Sequence, residues 1–222
     1  SPKPFKPDAR EEARYAAPDF DDSGWDDIAV PLNWYLQYKA ARNREAPYVK
    51  GYYRRHFNVS AAEKSGRRAI LHFGVIGYDA RVFVNGQEIG SHHGDFTPFE
   101  LDITDALREG ENILAIRVLS DFGPVFGVRQ RVSHTYGCQW GIDSIKGGIW
   151  QDVTLRFVPE IYISRILIDP RVPEKVLDVR AAVENRTGRQ MKLRFSGEVL
   201  SALRETAGQS AGNPAAFEVT LK

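Results

Sequence analysis

The sequence predicts an all-β protein of antiparallel sandwiches. Three observations carry this: short segments alternating apolar and polar at period two, an Asn85-Gly86 dipeptide between two of them, and little helical signal. The segments are "RRHFNV", "RAILHFGVI", "ARVFVN", "QEIGS", "NILAIRVL", "QDVTLRFV" and "IYISRILI", all rich in β-branched and aromatic residues. Asn85 and Gly86 tolerate the positive φ that a type I′ turn demands, so Ala80–Val84 and Gln87–Ser91 should pair as a hairpin. "DITDALREGEN" (102–112) is the one helix expected, opened by Asp102 or Thr104 and closed at Gly110. Many short strands with so little helix argue an antiparallel sandwich.

The chain has 222 residues, enough for one generous domain or two small ones. Formal net charge is +1, with acids and bases mixed along the length. No basic block is present to neutralise phosphates, which argues against a nucleic-acid partner. No apolar run approaches bilayer length, so a soluble, non-membrane chain is expected. The start, "SPKPFKPDAREEARY", lacks the apolar core of a signal peptide. Localisation stays open between the cell interior and export to the periplasm or beyond. A single cysteine, Cys138, rules out internal disulfides and thiolate metal clusters.

Two stretches break the strand pattern. Residues 33–50 mix aromatics with charges and show no period; residues 120–148 are long, irregular and rich in glycine and aromatics. Loops of that length in compact domains are usually functional or disordered, and the glycines and rings of the second argue against disorder. Both are candidates for a binding face. After Pro159 a new set of alternating strands begins. The sequence therefore divides into a first domain, 1–159, and a second, 160–222. The second is too short for a complete immunoglobulin-like sandwich, which needs about seven strands, and reads as part of a longer protein.

Three groups of residues invite a chemical reading. His92, His93 and Asp95 follow the hairpin in "SHHGDFTP". Adjacent strand residues point to opposite faces, so the two imidazoles do not share one ion easily, and a structural corner is favoured over a metal site. Gly94 allows a bend there, and Thr97-Pro98 sets the turn into the next strand. The acids Asp21, Asp22, Asp26 and Asp27 flank Gly24 and read as solvated turn residues rather than a glycosidase carboxyl pair. No nucleophile elbow and no phosphate loop is visible, so no catalytic residue and no cofactor is expected. Trp34, Tyr35, Tyr38 and Tyr48 in the first stretch, and Phe122, Phe126, Tyr136 and Trp140 in the second, offer flat apolar faces with polar edges. Such rings suit the C–H face of a sugar, with Asn33, Gln139 and Asp143 as hydrogen-bonding partners; about half of the rings are expected to pin their own loops instead.

The order of motifs adds a resemblance. "WDDIAVPLNW", "GYYRRHFNV", "FGVIGYDARVFVNGQEIGSHHGDFTPFELDITDALREGENILAIRV" and "GGIWQDVTL", across about residues 25–158, resemble the N-terminal sugar-binding domain of glycoside hydrolase family 2. The elbow "HHGDFTPFELDIT" is close to the β-glucuronidase-like pattern. The resemblance implies a galactose-binding-like jelly-roll β-sandwich followed by a partial immunoglobulin-like sandwich. It implies a pocket wall in a retaining β-glycosidase whose catalytic (β/α)8 barrel lies elsewhere. The family's acid/base glutamate follows an asparagine, and no Asn-Glu dipeptide occurs in these 222 residues. It further implies that Asn33 of "LNW", with Trp34, Trp140 and Asp143, shapes the β-glycoside pocket; Asp143 sits one residue off the family's spacing before "GGIW". The competing readings are a stand-alone carbohydrate-binding module and a structural interaction module, the latter with a concentration-dependent homo-oligomer through unpaired strand edges.

Overall fold

The computed structural model describes residues 8–32, 50–77, 79–94, 96–119, 123–124, 131–132, 148–174, 176–199 and 215–221. The chain divides between Glu160 and Ile161 into two units.

In the first unit the strands are β1 (Lys50–Val59), β2 (Arg67–Phe73), β3 (Ile76–Gly77), β4 (Asp79–Val84), β5 (Gln87–His93), β6 (Phe99–Asp102), β7 (Gly110–Leu119), β8 (Gly123–Pro124), β9 (Arg131–Val132), β10 (Gly148–Ile149) and β11 (Val153–Pro159). One sheet runs β1-β7-β4-β5 and a second runs β11-β2-β6; β3 pairs with β10 and β8 with β9, all antiparallel. Period-two patterning produces the core directly. Ala80, Val82 and Val84 of β4 and Leu114, Ile116 and Val118 of β7 turn inward from the first sheet. Ala69, Leu71 and Phe73 of β2 meet them from the second. Each large side chain so buried stabilises the fold by about 1.5–3 kcal/mol.

Strands β4 and β7 are covered on their other face too. Helix α1 (Ala9–Ala16) lies there, with Ala16 packed on Phe83 and Ala115. The Asp8 carboxylate caps it, accepting from the Arg10 amide at 2.9 Å. A second helix, α2 (Ala61–Lys64), carries a reciprocal capping box between Ser60 and Glu63. The single helix expected at 102–112 is instead one 3-10 turn, Thr104–Ala106. Ile103 and Leu107 are both buried in the core, which pins the crossing from β6 to β7 at each end of that turn.

The hairpin forms at Asn85-Gly86 with φ of 52° and 85°, as the type I′ turn requires. A bulge places Ile89 between the pairs Val82–Gly90 and Phe83–Glu88. Gly90 matters for closure: a Cβ there would sit 2.9 Å from Leu101 Cδ2 on β6, where the edges of the two sheets meet. The turn is tied to β7 by a buried amide pair. Asn85 Nδ2 donates to Asn112 Oδ1 at 2.8 Å, and Asn112 also bonds the Arg108 amide and the Arg108 and Gly110 carbonyls.

The second unit contains two antiparallel hairpins, β12 (Ile161–Arg171) with β13 (Val176–Asn185), and β14 (Leu193–Val199) with β15 (Ala215–Leu221). In the first of these, Ile163, Ile166, Ile168 and Pro170 share one face with Val183, Ala181, Val179 and Leu177. Ile163, Ile166 and Ile168 on that face are exposed.

Candidate functional site

The flanks of the two aromatic-rich stretches meet at one end of the first sandwich. Leu32, just before the first stretch, donates its amide to the Ile149 carbonyl at 3.1 Å, and Ile149 closes the second stretch on β10. The Ile149 amide in turn donates to Tyr53 Oη at 3.3 Å, on the strand that follows the first stretch. Lys50, which begins that strand, lies opposite Leu119, the last described residue before position 120. The same rung continues through Asp79 to His93, so it crosses all four strands of the first sheet as Lys50, Leu119, Asp79 and His93. The sandwich thus gathers the feet of both stretches within one hydrogen-bonded corner. Asn33, Trp34, Trp140 and Asp143, the predicted substrate-binding residues, lie outside the described residues, as does Asp95. Leu32 and Gly148 are the described residues nearest to the first and the last of the four.

The elbow after β5 belongs to this end and is structural. His92 stacks on Phe99 with ring centroids 4.1 Å apart, and Phe99 stacks on the core residue Phe73 at 4.6 Å. His92 Nε2 lies 3.1 Å from Thr97 Oγ1. Burial, with His93 alongside, holds the His92 imidazole below its ordinary value, which favours the neutral ring that stacking suits. Gly94 has φ +140°, and a Cβ there would stand 3.1 Å from Thr97 Oγ1. His93 points the other way, its Nδ1 2.6 Å from Asp79 Oδ2. Phe96 meets Trp150 edge to face at 5.8 Å, joining the elbow to the base of the second stretch.

Behind the rung lies a layer of charge that pattern reading did not single out. Arg117, 2 % exposed, donates through Nη1 to Asp79 and lies with Nε 3.1 Å from Glu12 Oε1, itself 2 % exposed. Arg81 reaches Glu12 and Glu88, while Lys50 and Tyr52 both donate to Glu11. Burial, reinforced by the Glu11 and Glu12 carboxylates, pushes the Tyr52 phenol far up, so it stays a neutral donor. The signal available in sequence was Asp8 with Glu11 three residues on in "DAREEARYA", which marks α1; nothing local marks the partner of Glu12.

The segment from Asp8 to Trp25 is held by a second buried cation. Arg54 donates to the Tyr15 carbonyl, to the Ala17 carbonyl at 3.2 Å and to Asp22 Oδ2 at 2.7 Å. Asp22 is therefore an ion-paired anchor, not the solvated turn acid expected, because the chain after α1 folds back across β1. Tyr15, Phe20 and Trp25 pack edge to face, with Tyr52 tilted against Tyr15 at 4.6 Å. His56 bridges Asp22 (3.0 Å) and Glu111 (3.1 Å) at the surface.

This bridge makes the stability of the segment depend on pH. Asp22, then Glu111, raise the His56 pKa above its ordinary value. Its contribution is therefore complete below about pH 6.5 and is lost as pH rises through the raised value. Arg54, aided by His56, lowers Asp22, so that contribution fades only as pH falls through the lowered carboxyl value. His56→Gln should remove most of the alkaline loss, an effect of at most about 1 kcal/mol for so exposed a bridge. Thermal melts from about pH 5 to about pH 9 check this. Parallel curves for wild type and variant would show that the bridge contributes nothing.

In class, the first unit is an antiparallel β-sandwich with a packed core, and the described flanks of its two aromatic-rich stretches lie together at one end. Residues 43–151 match the family described as glycosyl hydrolase 2 galactose-binding domain-like. The chain is 28 % identical over 190 residues to a β-galactosidase of Thermoanaerobacter pseudethanolicus, covering 82 % of this chain and 23 % of the relative. It is 30 % identical over 122 residues to a β-glucuronidase of Formosa agariphila, covering 53 % and 12 %. The solved β-glucuronidase of Bacteroides uniformis shares the fold, with TM-score 0.72 and 24 % identity over 94 % of this chain and 24 % of that one. The chain matches the galactose-binding-like N-terminal domain of glycoside hydrolase family 2 over residues 43–151, and it spans less than a quarter of the length of these relatives.

Proposed function

We propose that this chain is the N-terminal, non-catalytic portion of a retaining β-glycosidase acting on O-glycosides of the β-galactoside or β-glucuronide type. Hydrolysis belongs to a (β/α)8 barrel supplied by the rest of the protein, through two carboxyl groups and a covalent glycosyl intermediate. The role of residues 1–159 is to wall one side of the sugar pocket, with Asn33, Trp34, Trp140 and Asp143 toward the glycoside. The observation that carries the reading is the convergence of the two stretches: Leu32 is bonded to Ile149, and Lys50 lies opposite Leu119. The described residues that flank Asn33 and Trp34 on one side and Trp140 and Asp143 on the other thus meet at one corner. Residues 160–222 form part of an immunoglobulin-like sandwich; the all-apolar face of β12 and β13 supports this, since it has the character of a sandwich's inner face.

Asn33→Ala in the full-length protein should lower kcat/KM for its glycoside about tenfold, the loss of one hydrogen bond made to the sugar. Unchanged kinetics across galactosides, glucuronides and mannosides would remove Asn33 from the pocket. Calorimetry on the present chain separates the pocket wall from a self-sufficient carbohydrate-binding module. A wall detached from its barrel should show no measurable sugar binding, because half of its contacts are missing. Saturable binding by the chain alone would establish the module instead.

A further inference from the structure

Helix α1 lies outside the matched segment 43–151, yet it supplies two adjacent carboxylates to the rung from which both stretches depart. Glu11 accepts from Lys50, the first described residue after the first stretch, and from Tyr52 at 3.3 Å. Glu12 is buried against Arg117 and Arg81. Arg117 stands two residues before Leu119 and donates to Asp79, the rung residue that pairs with both Leu119 and His93. One turn of helix therefore touches the rung at Lys50 and, through Arg117, at Asp79.

Attachment of α1 alone does not require this. Ala16, Phe83 and Ala115 already hold the helix to the sheet by apolar contact. Burying charge is costly unless geometry is well matched, and apolar side chains of similar volume often stabilise as well or better. What the polar contacts add is direction where they are hydrogen bonds, at Glu11 from Lys50 and Tyr52 and at Glu12 from Arg81 Nη1, while Arg117 Nε and Glu12 Oε1 form an ion pair at 3.1 Å without a hydrogen bond.

We propose that α1 is a positioning strap for this end of the sandwich, with Glu11 and Glu12 as positioning residues that set the rung Lys50–Leu119–Asp79–His93 and through it the glycoside affinity of the enzyme. The inference rests on the pocket-wall reading above and deepens it. A wall remote from the reacting bond contributes binding common to substrate and transition state, so its loosening raises KM and leaves kcat in place.

The test is steady-state kinetics of the full-length protein carrying Glu12→Gln, Glu11→Gln or Asn33→Ala, each at a temperature where thermal melts show it fully folded. Glu12→Gln should raise KM roughly five- to tenfold with kcat within about twofold of wild type, and Glu11→Gln should raise KM about two- to threefold. Should Glu12→Gln not fold, Glu11→Gln carries the test, since its side chain is 29 % exposed. If Asn33→Ala impairs the enzyme while both glutamine variants keep wild-type KM, the strap is refuted and the pocket wall stands. A Glu12→Gln enzyme whose kcat falls with KM unchanged refutes it as well, because that marks a loss of active fraction only. If all three variants behave as wild type, the pocket-wall reading itself falls, and the strap with it.

Discussion

Arg117→Met should destabilise the first unit by about 3–5 kcal/mol, the range for removing one partner of a buried ion pair. The guanidinium touches Glu12 and Asp79, and both Arg117 and Glu12 are almost wholly shielded from water. Methionine fills the space of the aliphatic stem and leaves the Asp79 carboxylate to the His93 imidazole. Glu12 keeps Arg81, which must then serve both Glu12 and Glu88. Arg117→Lys keeps the charge but offers no fork, so it should recover only part of the loss. Urea unfolding monitored by tryptophan fluorescence measures both variants. A loss below about 1 kcal/mol for Arg117→Met would mean that the network is worth no more than a surface pair.

The second large effect is expected at Asn112, which is fully buried and spends its amide completely. Its Oδ1 accepts from Asn85 and from the Arg108 amide; its Nδ2 donates to the Arg108 and Gly110 carbonyls. Asn112→Leu keeps the branched shape and heavy-atom count and is more apolar, so a simple burial argument predicts a gain. The opposite should be found. The substitution takes the side-chain partner from the Arg108 amide and from the Arg108 and Gly110 carbonyls and removes one of the two acceptors of Asn85 Nδ2, and each hydrogen bond so lost is worth about 1 kcal/mol net. A net loss of about 3 kcal/mol or more is expected in the same unfolding experiment. The hairpin should loosen with it, since Asn85 joins its turn to β7 through the Ile113 amide and carbonyl. Retained stability in Asn112→Leu would show that water or backbone adjustment replaces these bonds.

The two predictions fall on residues that differ in how visible they are in the chain. Asn85-Gly86 announces its turn, because positive φ at two successive positions is open to very few residue pairs. The inward positions of β2, β4 and β7 are equally legible, because alternation is a property of the strand itself and needs no knowledge of its neighbours. Helices α1 and α2 carried their signatures too, Asp8 with Glu11 and Ser60 with Glu63, spaced as N-caps and their third residues are. They went unread because each is short and lies outside the strand pattern. The helix expected at 102–112 stops for a nonlocal reason: the chain is extended at Leu107, and the Asn112 side chain takes the Arg108 amide and carbonyl that a longer helix would pair internally.

The sequence by itself determined the class of this protein, the place of its hairpin turn and the family it resembles. All of these follow from periodicity, turn chemistry and motif order, which are written along the chain. It also marked the two aromatic-rich stretches as the places to look for a ligand. Only the tertiary structure decided that the feet of those stretches meet in one corner, that His92 is a stacked corner residue while its neighbour turns to Asp79, and that Glu12 answers to Arg117. Such pairings join residues far apart in sequence, across a sheet or between helix and strand. Their energy comes from shared burial, and burial is a property of the folded surroundings that no single segment carries.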